Sequence, residues 1–238
     1  MDYFSIYLKR LNRYGLDYQS RIQNMRERNF DLYLLKTVYL VSFLYNNELI
    51  KGSLEPYKQD ETKILQYLLV KRDVILPNGT IFTTEDETGK KNWMVYWLED
   101  IKASGYNRYI VLRMTHSISW IGRDKKEHST LAYMYGQEDN MLKNELRSRS
   151  RMDTLYNENL KMSFLVMPTN EFIKKEDYLE IGTGALLEAY VVTGYDINST
   201  PGVEYVTIDP CYTRDHSPNP TPSQGEEDEY YWIDNFGG

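Results

Sequence analysis

The sequence predicts an α+β protein that is mainly β: an N-terminal helical arm, then a small antiparallel β-barrel or sandwich with a second β segment. Three observations carry this. From Ile110 the even positions read Ile110, Leu112, Met114, His116, Ile118 and Trp120, with mostly Arg, Thr and Ser between them. Successive strand side chains point to opposite faces, so a two-residue period marks a strand with one buried face. The surrounding stretch, Asn92 to Met134, holds three of the four tryptophans. Tyrosine, 22 of 238 residues, suits strands and also surfaces that cover apolar area while keeping a polar tip.

The elements follow in order. Asp2 to Arg28 reads as helix: Phe4, Leu8 and Leu11 fall at helical spacing, Gly15 interrupts, and Tyr18, Ile22 and Met25 resume it. Asp2 and Asp17 are placed to cap two short helices or one kinked helix. The opposite face carries Lys9, Arg10, Arg13, Arg21, Arg26 and Arg28, a solvated face or one that docks an acidic partner or nucleic acid. Leu32 to Tyr45 is apolar enough for a buried strand, turned by Asn46-Asn47 and returned by Leu49 to Leu54. Asp60 to Leu69 resembles a short helix with acids in its first turn. Pro77-Asn78-Gly79 is a tight turn, and Asp86 to Lys90 is a hairpin loop before the Trp93 strand.

At Gly122-Arg123-Asp124-Lys125 the central strand turns back as Ser129 to Tyr135, a long hairpin. Gly136 to Lys161 is polar, an excursion or a linker. Ser163 to Met167, Tyr178 to Ile181, Glu188 to Tyr195 and Val203 to Asp209 are further strands. The domain reading is therefore a helical arm over 1–31, a central β domain over 32–135 and a charged excursion over 136–161. A second β segment, 162–212, packs with the first, and 213–238 is an acidic, proline-rich flexible tail. One internal echo stands out: DIKASGYNRYIVL from Asp100 matches DINSTPGVEYVTI from Asp196, with a Tyr nine positions after each Asp and the glycine displaced by one. LPNGTIF and VMPTNEF correspond upstream. Either two β units are related, or two hairpins share turn residues.

Composition narrows the function. Thirty-five acids against 28 bases give a net charge of −7, which argues against coating nucleic acid but not against a local basic patch. Cys211 is the only cysteine, so no intrachain disulfide framework exists and a reducing compartment is expected. MDYFSIYLKR lacks a signal-peptide pattern, and no run of about 18 apolar residues occurs. The expected setting is a cytosol, or a particle assembled in one, with no membrane partner.

Catalytic chemistry is absent from the motifs. His116, His128 and His216 are not spaced as metal ligands, and one cysteine cannot build a thiolate zinc site. There is no phosphate loop, nucleophile elbow or HExxH helix. The carboxylate pairs Glu85/Asp86/Glu87 and Glu99/Asp100 lie in or beside turns, and Asp100 and Asp196 read as turn caps. No catalytic residue, metal or cofactor is expected. Two segments remain as candidate sites. Lys143, Arg147, Arg149 and Arg151 put four bases in nine residues, able to line phosphates without reading bases; a solvated loop with Glu145 and Asp153 as local partners is the plainer reading. In the tail, Glu226 to Glu229 precede Tyr230, Tyr231, Trp232 and Phe236, an acidic arm with aromatic anchors suited to docking on a neighbouring subunit.

Several segments resemble a group of structural proteins from tailed phages of Gram-positive bacteria: NRYGLDYQSRIQ, LYLLKTVY, YKQDET, PNGTIF, the tryptophan strand NWMVYWLEDIKASGYNRYIVLRM, SWIGRDKKEH, MPTNEFIKKEDYLEIG and VEYVTIDP. The resemblance covers residues 1 to about 212 and is to head-closure or head–tail connector components. It implies a non-enzymatic virion protein of the phage neck, assembled in the host cytoplasm, that joins and closes the DNA-filled head. Its implied partners are further copies of itself in a ring, portal or adaptor proteins of the head, tail proteins, and packaged DNA by non-specific contact. A phage tail module that binds carbohydrate or a receptor is the alternative, motivated by the tyrosine and tryptophan content on a β scaffold and tested by changes at Trp93 or Trp120. A hydrolase with carboxylates assembled from turns is a third.

Overall fold

In a computed structural model, the described residues are 3–11, 17–57, 64–99, 105–122, 124–135, 163–170, 172–183 and 186–211. They form two helices and two six-stranded antiparallel β units. Helices α1 (Tyr3–Leu11) and α2 (Tyr18–Leu34) lead into β1 (Leu40–Tyr45), β2 (Glu48–Pro56), β3 (Leu65–Lys71), β4 (Ile81–Asp86), β5 (Gly89–Glu99) and β6 (Tyr106–Met114). The second unit is β7 (His116–Ile121), β8 (Glu127–Tyr135), β9 (Ser163–Pro168), β10 (Tyr178–Thr183), β11 (Leu186–Thr200) and β12 (Val203–Pro210).

The units share one topology. The first sheet runs β1-β2-β3-β6-β5-β4. The second, read from β7, runs β7-β8-β9-β12-β11-β10 and closes through a β10–β7 ladder. Both orders are first-second-third-sixth-fifth-fourth. In the first unit β1 and β4 curl toward each other, Phe43 meeting Phe82 at 4.5 Å between ring centroids, without a ladder between them. The echoing sequences sit at the same place in each unit, the connection from the fifth strand to the sixth. Their tyrosines nonetheless face opposite ways. Tyr109 lies in the interior of its own unit with Val111 and Trp93, whereas Tyr205 points out of its barrel into the layer between units.

Each unit fills its interior from all six strands. Phe43, Leu68, Val70, Phe82, Trp93, Val95, Tyr109 and Val111 line the first, with Ile50 and Leu54 of β2 packed against them. Ile118, Trp120, Leu165, Leu179, Val192 and Val206 are among those lining the second. A third apolar layer joins them: Met94, Tyr96, Ile110, Leu112 and Met114 from the first unit meet Tyr133, Tyr135, Phe164, Val166, Val203 and Tyr205 from the second. Its centre is polar at one point, where the Tyr96 and Tyr205 hydroxyls lie 2.8 Å apart and Thr200 Oγ1 is 2.8 Å from the latter. That contact gives the buried phenols partners.

Four expectations from the sequence are corrected. The run from Ile110 to Trp120 is not one strand of one sheet: it divides at Thr115, β6 staying in the first unit and β7 opening the second. Alternation continues across the break because both parts bury their even residues, so periodicity alone could not show it. The two sheets therefore divide between Met114 and His116, inside the stretch 32–135 expected to be one β domain, and β9–β12 share a barrel with β7 and β8. The helical arm extends beyond 31, since α2 runs to Leu34 and the strand begins only at Leu40. Leu65 to Leu69, expected in a helix, is in β3, paired with β2 and β6; burial on both sides overrides a weak local preference. The segments 58–63, 136–162 and 212–238 lie outside the described residues.

Two glycines allow a close backbone approach between units. A Cβ at Gly79 would lie 2.1 Å from the Gly202 carbonyl oxygen, and one at Gly202 would lie 2.3 Å from the Asn78 oxygen. Both have positive φ, 83° and 85°, a region that L side chains adopt at a cost. Gly89 has φ 109° with open space around its Cβ. Gly202→Ala should therefore cost at least about 3 kcal/mol, strain plus displacement of the Asn78 turn, while Gly89→Ala costs about 1–2 kcal/mol. Denaturant unfolding of the two variants checks this, and equal losses would contradict the inter-unit contact.

Candidate functional site: an exposed apolar face on the helical arm and first hairpin

The charged and aromatic sites expected from the sequence, Lys143, Arg147, Arg149 and Arg151 and then Tyr230, Tyr231, Trp232 and Phe236, lie outside the described residues. Several of the described polar groups have local structural roles. Asp86 accepts from Thr88 N at 2.9 Å and from Lys91 Nζ at 2.5 Å, and the Lys91 contact leads the lowering of its pKa to about 2. Arg108 pairs with Glu99 at 2.6 Å and lies over the Tyr67 ring. Asp196 accepts from Asn198 N at 2.8 Å and Ser199 N at 3.1 Å, the turn cap that its position predicts. His128 bonds Asp124 at 2.8 Å and stacks between Trp120 and Phe172. His116 is half-buried, and burial pushes its pKa down. Among the described residues no three of His, Cys, Asp and Glu gather to hold a metal, and no helix is long and apolar enough to cross a membrane.

Trp93 and Trp120 are 2% and 3% exposed. Trp93 Nε1 donates to Thr84 Oγ1 at 2.9 Å inside the first unit. Both rings are core, so a change at either position would perturb packing.

Exposed apolar side chains concentrate in one stretch of the chain. Of the twenty large apolar side chains exposed among the described residues, fourteen lie within residues 3–49. Their placement follows from how α2 is fixed. Asp17 caps it, accepting from Ser20 N at 2.8 Å. Phe30 and Leu34, four apart, bury against Leu69, and Phe30 stacks on Tyr106 at 5.1 Å. Asp31 pairs with Lys71 at 2.8 Å, and Tyr33 reaches Ser53 and Glu55. At Gly105 a Cβ would lie 2.5 Å from the Arg26 backbone, so the helix rests on the strand with no side chain between.

With that side committed, Tyr18, Met25 and Leu32, seven residues apart, face outward. This reverses the expectation that Tyr18 and Met25 belong to the buried stripe; Ile22 between them is half-buried. The surface continues through Leu35 and Val38, 81% and 88% exposed, onto the β1–β2 hairpin. There Asn46 and Asn47, both with positive φ, make the tight turn that sets the register. Leu44 and Leu49 are cross-strand partners, exposed at 68% and 63% while Phe43 fills the interior. In helix α1, Tyr3, Phe4 and Tyr7 are 84%, 62% and 52% exposed. An apolar concentration of this kind marks an interaction surface. The sequence signal was present in Leu35, Val38, Leu40 and Leu44, but the apolar run read as burial.

Comparisons with known proteins add little. No protein family and no curated protein matches the chain. Matching solved structures include MrkH of K. pneumonia in its apo state, 9% identical, covering 79% of this chain and 84% of that one at a TM-score of 0.25. They also include the Bacillus subtilis inhibitor of motility MotI/DgrA, 12% identical, covering 72% and 85% at 0.20. At those scores the likeness carries no weight for what this chain binds.

One buried carboxylate was not anticipated. Glu204 alternates with Val206 and Ile208 on the inner face of the closed barrel and is 1% exposed. Its Oε2 accepts from Asn170 N at 3.0 Å, tying down the segment whose Ile173 fills the barrel interior. Burial raises its pKa, opposed by the Asn170 bond and Lys174. The folded state thus holds the proton more tightly than the unfolded chain, and stability falls as pH rises from the ordinary Glu value through the raised one. Glu204→Gln should flatten that part of the profile and leave the variant at least as stable as the parent at neutral pH. Thermal unfolding across pH 4–8 checks this, and an unchanged slope would contradict it.

Proposed function

We propose that this chain is a non-enzymatic structural protein of the phage neck, acting in the virion after assembly in the host cytoplasm. It joins the DNA-filled head to the tail-attachment site and closes it. Its partners in this reading are further copies of itself in a ring, the portal or adaptor proteins on the head side, and tail proteins on the other. The resemblance of residues 1 to about 212 to head-closure and connector components supports the setting. The observation that carries the assembly role is the concentration of exposed large apolar side chains over residues 3–49. A protein built to act by contact leaves such surface for its neighbours to cover, whereas a catalyst concentrates convergent polar groups in a cleft.

Within this reading the Lys143–Arg151 segment faces packaged DNA, and Tyr230, Tyr231, Trp232 and Phe236 dock the tail on an adjacent subunit. Purified chain mixed with filled, tail-less heads should bind in a fixed number of copies, read as added mass by light scattering, and should reduce genome loss. A chain that ignores heads but is retained on host cell-wall polysaccharide would replace this reading with the receptor-binding one. Reversing the charges of Arg147, Arg149 and Arg151 should leave particles assembled but less able to hold their DNA, because phosphate contacts scale with the bases that make them. Unchanged DNA retention would remove that segment from the channel.

A further inference from the structure

The connection from β9 to β10 is fastened to the closed barrel at a few points. Thr169 N donates to Gly202 O at 3.1 Å, Asn170 N to Glu204 Oε2 at 3.0 Å, and Glu176 N to Val192 O at 2.7 Å. Between them Ile173, 1% exposed, joins the interior cluster with Leu179 and Val192. The Phe172 ring lies on His128 at 4.4 Å, and His128 lies on Trp120 at 5.5 Å. Other bonds stay within the connection and brace its shape: Phe172 N to Asn170 Oδ1 at 2.8 Å, and Lys174 N to Asp177 Oδ2 at 2.7 Å. Val192 N, donating to Asp177 O at 2.9 Å, holds the far end where β10 begins.

We propose that this connection is a strap that opens as one piece before the barrel unfolds, with Glu204 as the latch that makes its closure pH-sensitive. A segment braced within itself and tied to its neighbours by few bonds opens at a lower free energy than the strands it covers. Closure also carries two costs that opening relieves. Glu176 sits at φ 78°, a left-handed conformation unfavourable to a residue with a Cβ. The Glu204 carboxyl is 1% exposed, and a buried charge is costly unless it is well paired. Lys174, on the strap itself, is the one charged group among the described residues that acts on it. Burial makes the closed state hold the Glu204 proton more tightly than water does, with the Asn170 bond and Lys174 opposing. The open state returns it to the ordinary value. Between those two values each pH unit therefore moves the balance toward the open strap by up to about tenfold, and above the raised value the effect levels off. Such a strap operates whether or not the chain builds a phage neck.

The test is amide hydrogen exchange, read by NMR on the full chain from pH 5 to 8, each rate divided by that of an unstructured chain at the same pH. Thr169, Asn170 and Glu176 should share one protection. It should lie at least about tenfold below that of Val206, which is in β12 and paired on both sides. The protection of the strap amides should fall as pH rises and then level off. Glu204→Gln should abolish that fall and leave the strap amides below Val206. Strap amides as well protected as Val206 would overturn the proposal, because the strap would then open only with the barrel. So would unequal protection at Asn170 and Glu176, or a fall that persists in the Gln variant. A flat profile in the parent chain overturns the latch without need of the variant.

Discussion

Strand β6 has two buried faces, and the arrangement of the whole molecule depends on that. Tyr109 and Val111 turn into the first unit, where they complete its core; Ile110, Leu112 and Met114 turn out. An outward face of that size is unstable against water, at about 25 cal/mol for each Å² left uncovered. The second barrel covers it with Phe164, Val166, Tyr133 and Tyr135. The same strand then crosses at Thr115 and becomes the first strand of the barrel that packs on it. Covalent continuity and apolar contact thereby act on the same pair of bodies, and the Gly79–Gly202 approach and the Tyr96–Tyr205 contact are possible only because that packing is close.

The shared strand order of the two units gives the sequence echo a physical meaning. Both copies of the motif connect the fifth strand to the sixth, so the likeness is one of position in a topology. It does not extend to side-chain direction: Tyr109 serves its own interior and Tyr205 the layer between units. The units also differ in closure. The second completes its ring of strands through β10 and β7, which removes exposed edges. The first leaves β1 and β4 adjacent and unpaired across Phe43 and Phe82.

The open unit is also the one that bears α2 and the exposed apolar surface. Helix α2 spends Phe30 and Leu34 on the sheet and has only those two buried residues, so Tyr18, Met25 and Leu32 remain for something else. Polar surface is not short in this chain, and charged residues make up 26% of it. The clustering of exposed apolar groups in residues 3–49 is therefore a property of that region and not of overall composition. It lies at the end of the molecule farthest in sequence from the closed barrel, which keeps its apolar groups inside.

The sequence by itself determined the mainly β class, the helical start, the cap at Asp17, the turns at Asn46-Asn47, Pro77-Asn78-Gly79 and Gly122, and nearly every strand after Leu76. These are local matters: period, turn chemistry and capping act within a few residues, and their signals sit in the residues concerned. Tertiary structure alone decided that Thr115 divides two bodies, that Leu65–Leu69 is strand, and that Trp93 and Trp120 are core. It also decided that Glu204 is buried and that Leu44 and Leu49 are exposed while Phe43, next to Leu44 in β1, is not. In each case the residue type was clear and its neighbour across space was not. An apolar side chain states that it will leave water; whether its own chain or another molecule covers it depends on which faces the fold brings together.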